Sequence, residues 1–205
     1  MTSEKDSDEN ALIAERRRKL AARRAVGNAY PNDFRRNSLA EELHETWGPH
    51  ASDKLRDAHV MVRVAGRMLV KRVMGKASFV KLQDRTGQIQ LRVERERLPD
   101  GCYLDFKKWD IGDIVGAEGF LFKTQTGELT VMVQELRMLA KSLRPLPEKF
   151  HGLADQETRY RQRYVDLIMN AESRDVFRTR SRIVSYLRGA HTPLYASPQQ
   201  KAGFT

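Results

Sequence analysis

The chain has 205 residues, 40% hydrophobic and 31% charged, which suits a compact core with long solvated segments beside it. Lys and Arg number 37 against 27 Asp and Glu, and a net charge of +10 favours a polyanionic partner, nucleic acid first. No apolar run approaches the roughly 20 residues that span a bilayer, the single Cys102 excludes an internal disulfide and offers no metal-ligand spacing, and the acidic start is not a secretory signal; the sequence therefore reads as cytoplasmic, with no membrane partner.

Residues 1–8 are polar and read as disordered. Residues 9–26 lack Gly and Pro and predict a helix that Gly27 ends. Arg16, Arg17, Arg23 and Arg24 lie mostly away from Ile13, Leu20 and Ala21, as in an ordinary amphipathic surface helix; a basic helix touching RNA phosphates is the alternative. Ser38 is placed to cap a helix over 39–46, with Glu41 three residues on as in a capping box, and Gly48-Pro49 ends it. From Ala58 the period becomes two. Val60, Val62 and Val64 alternate with Met61, Arg63 and Ala65, Gly66 predicts a bulge or bend, and the strand resumes from Met68 to Val73. Further strands are expected over 77–83 and 88–94, joined at Asp84-Arg85-Thr86-Gly87. A short helix over 103–109 and strands over 112–123 and 129–139 follow.

The fold class is mainly β with flanking helices: a five-stranded OB-fold barrel, preceded by N-terminal helices and followed by two linker helices over 155–169 and 172–188. Pro145 and Pro147 mark the linker. The expected parts are an N-terminal extension (1–57), the barrel (58–143), a linker segment (144–188) and a disordered tail (189–205) without apolar period. The extension is neutral, whereas the barrel carries a net +5 and the linker segment +4.

Strand parity sorts the side chains, because neighbours point to opposite faces. Ile89, Leu91 and Val93 form a core face and leave Gln88, Gln90 and Arg92 outside. Val80 and Leu82 belong to the core, so Phe79 lies outside with Lys81 and Gln83. Leu129, Val131 and Val133 point in, and Glu128 and Thr130 point out. An exposed aromatic on a basic sheet face suits single-stranded nucleic acid: the ring stacks a base and cations neutralise the backbone. Gln90 can donate and accept, and ionised Glu128 only accepts, so both can read base edges. Arg67, Lys71, Arg72 and Lys81 are the candidate backbone cations. A register one residue off would bury Phe79 instead.

Residues 71–79 (KRVMGKASF), 82–84 (LQD), 87–91 (GQIQL), 106–113 (FKKWDIGD) and 123–129 (KTQTGEL) resemble the anticodon-binding barrel of class II lysyl-tRNA synthetases. The block 143–153 (LRPLPEKFHGL) with 156–168 (QETRYRQRYVDLI) resembles the lysyl enzymes rather than the aspartyl and asparaginyl ones, and residues 27–34 (GNAYPNDF) fit as well. The resemblance covers about residues 9–188. It implies that Phe79 stacks a base and that Gln90 and Glu128 read a U-rich lysine anticodon in tRNA, the three residues that parity placed outside. It also implies that residues 144–188 open the class II catalytic domain.

After Arg188 the chain departs from that family, as a shifted frame or an early stop would make it. The ATP-binding motifs have no counterpart, and the dimer-forming motif of this homodimeric family is largely missing. The chain alone is therefore expected to be inactive and to hold no cofactor, the family's ATP and Mg2+ belonging to the missing catalytic domain. Two other readings stand beside this one: a stand-alone single-stranded nucleic-acid-binding OB protein, which would not need the helices at 155–188, and a non-functional truncated product.

Overall fold

The computed structural model describes residues 2–147 and 155–195, with the side chains of 2–8 and 190–195 left aside. They fall into two compact units, divided after Pro145. Residues 148–154 of the linker motif and 196–205 of the expected tail lie outside the described residues. Among the described residues no helix is long and apolar enough to cross a membrane.

The first unit is built on five strands, β1 (Met61–Met74), β2 (Ala77–Gln83), β3 (Gln88–Glu94), β4 (Ile114–Lys123) and β5 (Leu129–Ala140). They close into a barrel in the order β1-β2-β3-β5-β4. Every pairing is antiparallel except β3 with β5, which run parallel. Alternation puts Val62, Val64, Val80, Leu82, Leu91 and Val131 inside, each almost fully buried. Phe106, on the short helix α4 (Cys102–Lys107), belongs to the same core.

The expected bulge is present but displaced. β1 runs unbroken through Gly66, whose missing side chain admits the neighbouring strand: a Cβ there would sit 2.5 Å from the Gln83 carbonyl oxygen. The register shifts further on, between Met68 and Val70. The extra residue reverses parity. Val62, Val64 and Met68 point inward before it, and Lys71 and Val73 stand opposite buried Val80 and Ser78 after it. A second shift, between Glu118 and Gly119, places its extra residue in β5, between Val133 and Glu135; β4 keeps its parity, with Val115, Ala117 and Leu121 inward and Phe120 and Phe122 outward.

The N-terminal elements differ more from expectation. Helix α1 spans Thr2–Val26, so it includes residues expected to be disordered. No Gly or Pro interrupts them, and Glu4, Asp6 and Asp8 suit the positive end of a helix. Helix α2 spans Ala40–Trp47 with Leu39, not Ser38, at the cap position; the Ser38 hydroxyl donates to Asn37 Oδ1 instead. Leucine has no acceptor to offer. The β2–β3 turn supplies them: Asp84 Oδ2 accepts the Ala40 N–H at 2.8 Å and Thr86 Oγ1 the Glu41 N–H at 3.2 Å. Helix α3 (Ser52–Ala58) was not expected and occupies the start of the predicted first strand. It ends at His59, whose φ of 45° is left-handed.

One end of the barrel is tied by buried charge. The carboxylate of Asp113 is fully buried, as is the Lys141 ammonium that reaches it at 2.9 Å. Asp113 also accepts the backbone N–H groups of Asp110 and Ser142, each at 2.8 Å. Lys141 bridges to Asp110, which in turn takes Lys19 of α1 at 2.8 Å. These two cations hold the Asp110 carboxyl below its ordinary range, overcoming the upward push of burial.

The second unit holds α5 (Gln156–Arg161), α6 (Arg163–Met169) and α7 (Ala171–Tyr195). The single helix expected over 155–169 breaks at Gln162, where ψ is 51°. The last helix continues past Arg188 to Tyr195, so the first part of the expected disordered tail is helical. Asp166 organises the unit: its buried carboxylate receives Arg159 at 2.9 Å, Asn170 at 2.6 Å and Arg163. Burial pushes its pKa up, but the hydrogen bonds from Asn170, Ser173, Arg159 and Arg163 outweigh burial and hold it at about 2.

Two predictions follow from these buried charges. Lys141→Met leaves Asp113 charged and without its cation, and is expected to destabilise the first unit by about 3–5 kcal/mol, read by urea unfolding followed through Trp fluorescence. Because the folded pKa of Asp166 lies below the ordinary 3.8, its contribution is complete above that value and is lost as pH falls toward about 2. Amide exchange across α5 and α6 is expected to accelerate through that interval, and Asp166→Asn to show the faster exchange already at neutral pH.

Candidate nucleic-acid interface

The outer face of the barrel is assembled by register. One cross-strand row runs from Arg72 on β1 to Phe79 on β2, Arg92 on β3, Met132 on β5 and Phe120 on β4. The next runs from Val70 to Lys81, Gln90, Thr130 and Phe122. Phe79 thus lies outside, partly exposed, between inward Ser78 and Val80. Its position depends on the alternation of β2, in which every second residue is core.

The polar groups of this face are held but not used up. Gln90 Nε2 donates to the Thr130 hydroxyl at 3.1 Å, which leaves its carbonyl oxygen and second N–H for a ligand. The Thr130 hydroxyl donates to the Glu128 carbonyl at 3.1 Å and so steadies the residue that opens β5. Gly127, with φ of 82°, makes the tight turn that delivers Glu128. Glu128 stands 3.8 Å from Lys81, and both side chains are nearly half exposed. A surface pair at that distance is weak, so both groups remain available. Arg92 pairs with Glu94 at 2.6 Å, and its guanidinium carbon lies 6.0 Å from the ring centres of both Phe79 and Phe122.

Five of the seven residues singled out from sequence therefore share this face: Phe79, Gln90, Glu128, Arg72 and Lys81. Lys71 does not. The parity reversal after Met68 turns it toward the barrel's closed end, where its ammonium donates to the carbonyls of Lys107, at 3.1 Å, and Trp109. Burial lowers its pKa, with Asp110 opposing. Adjacent strand residues cannot both serve one face, and Arg72 takes the outward place. Arg67 is half-buried, with an N–H donated to the Gly112 carbonyl at 2.8 Å, so it too is engaged within the fold. Sequence reasoning named Arg92 only as an outward residue and passed over Phe122. The signal for Phe122 was the alternation Phe120, Leu121, Phe122, in which Leu121 continues the inward parity of Val115 and Ala117.

Residues 62–139, which are the barrel, match the family model described as OB-fold nucleic acid binding domain. The chain is 58% identical over 185 residues to a lysine–tRNA ligase of Thioalkalivibrio sulfidiphilus, an alignment covering 90% of this chain and 37% of that protein. It is 57% identical over 187 residues to a lysine–tRNA ligase of Yersinia enterocolitica, covering 91% and 37%. A lysine–tRNA ligase of Dechloromonas aromatica gives 56% over 185 residues. The chain is homologous to the N-terminal portion of lysine–tRNA ligases. It spans a little over a third of the length of these relatives.

On a nucleic-acid-binding barrel the two neighbouring cations of β1 are expected to separate cleanly. Arg72→Ala should reduce the salt dependence of RNA binding by about one phosphate contact. Lys71→Ala should leave the salt slope unchanged and lower stability by about 1–3 kcal/mol, because the part-buried Trp109 carbonyl loses its donor. Titrations at several salt concentrations, paired with urea unfolding, check both.

Proposed function

We propose that this chain carries the tRNA anticodon-binding part of a lysine–tRNA ligase, and that it grips a U-rich lysine anticodon on the outer face of the barrel. The observation that carries this reading is the convergence of Phe79, Gln90 and Glu128 on one face, supported by the shared name of the relatives. In the proposed complex the Phe79 ring stacks an unpaired base, an interaction open to any base. The Gln90 amide, with one donor and one acceptor free, matches the donor–acceptor edge of uracil, and the Glu128 carboxylate accepts a base N–H. Arg72 and Lys81 neutralise the backbone that crosses the face. The same reading gives the whole polypeptide ATP-dependent attachment of lysine to its tRNA, a homodimer and a cytoplasmic location; the relatives' name supports the joining of lysine to tRNA.

The test is a titration against the lysine anticodon stem-loop and a stem-loop with a non-uridine anticodon. Phe79→Ala is expected to weaken binding to the lysine loop by about 1–3 kcal/mol with little change in salt slope. Gln90→Ala and Glu128→Ala are expected to shrink the preference for the uridine loop more than the affinity itself. Unchanged binding by Phe79→Ala would remove the reason for placing the anticodon on this face.

A further inference from the structure

The outer face carries a second aromatic ring that the anticodon reading leaves without a role. Phe122 projects from β4 opposite Thr130, partly exposed, with core Leu121 on the other side of the strand. In the barrel order β3 separates β2 from β5 and β4, so Arg92 stands between Phe79 on one side and Phe122 on the other. Its guanidinium is 6.0 Å from each ring centre. The two rings therefore cannot sandwich a single base, because a side chain already fills the space between them. Each offers a face of its own, in a continuous layer of ring, cation and ring.

Arg92 is held in this layer at some cost. One of its N–H groups pairs with Glu94 at 2.6 Å, but Nε is buried and has no hydrogen-bond partner. A buried donor without an acceptor disfavours the unliganded state, and an acceptor on a bound nucleotide would remove that penalty. The second ring also stands in the row of Lys81, Gln90 and Thr130, beside the turn that delivers Glu128.

We propose that Phe122, with Arg92, forms a second base-stacking subsite, which takes the nucleotide next in sequence to the one stacked on Phe79. This rests on the anticodon reading above and extends it: the face engages two splayed, consecutive nucleotides, with Arg92 shared between them. Splayed bases on separate aromatic side chains are a usual way for a sheet surface to hold single-stranded RNA. Arg92 orients both rings and meets a base or phosphate acceptor of the bound strand.

The experiment uses the full chain and the lysine anticodon stem-loop, intact and with a single abasic residue at each anticodon position in turn. Phe122→Leu keeps an apolar side chain of similar bulk and removes the π face. It is expected to weaken binding of the intact loop roughly 5- to 100-fold. At one position the abasic loop should bind Phe122→Leu and the unaltered chain alike, and at the adjacent position the same should hold for Phe79→Ala. Photocrosslinking of 4-thiouridine to the unaltered chain checks this without a variant: adjacent positions should label the peptides of β2 and β4 separately. If Phe122→Leu binds the intact loop as the unaltered chain does, and no position crosslinks to β4, the second subsite is overturned. The anticodon reading survives that result so long as Phe79→Ala still weakens binding, and falls with it if Phe79→Ala has no effect.

Discussion

The parallel pairing of β3 with β5 is the constraint on which the rest of this molecule depends. Three residues of each strand meet, Gln90 with Thr130, Leu91 with Val131 and Arg92 with Met132, and with them the barrel closes. Closure removes the open edges of the sheet and buries Leu91 and Val131 completely. It also brings together groups that are far apart in the chain. Gln90 finds its hydroxyl partner on Thr130, Lys81 comes within 3.8 Å of Glu128, and Arg92 reaches Phe122. Without this short parallel ladder the strands form an open sheet in the order β3-β2-β1-β4-β5, with β3 and β5 at opposite edges.

Register shifts decide which residues belong to that face. The shift after Met68 sends Arg72 outward and Lys71 toward the carbonyls at the end of α4. The shift opposite Gly119 reverses parity in β5, from inward Val133 to inward Leu136, while the unbroken parity of β4 keeps two phenylalanines outward. Gly119 leaves no room for a side chain, since a Cβ there would lie 2.0 Å from the Met132 carbonyl oxygen. A bulge re-aims side chains at the point where a barrel strand must bend, and here the bulge of β1 supplies Arg72 to the outer face and withholds Lys71 from it.

The far end of the barrel is given over to fixing position. Asp113 and Lys141 bury opposite charges with their hydrogen bonds met, and Asp110 extends the set to Lys19 on α1. Such a pair is a poor source of net stability but tolerates few alternative arrangements. It joins the end of β5, the start of β4 and the N-terminal helix in one geometry. The β2–β3 turn does similar service at the other end, where Asp84 holds its own turn through Thr86 and Gly87 and also caps α2.

The sequence by itself determined the five strands, the inward set of apolar residues and the outward place of Phe79 and Gln90. Those follow from period-two alternation, a local property that a strand displays wherever it lies. The bounds of β2 and β3 were legible to the residue because Gly and Asp close their ends and no bulge disturbs their parity. The tertiary structure alone decided the rest. Whether Lys71 or Arg72 faces out depends on where the bulge falls, and that is a matter of the register between β1 and β2, not of the composition of β1. The cap of α2 lies more than forty residues from the helix it completes, so the local Ser38 signal pointed to the wrong residue. The apposition of Phe79, Arg92 and Phe122 has no trace in any one segment. It exists because hydrogen bonds between strands distant in sequence fix the rows, and side chains meet only when those rows align.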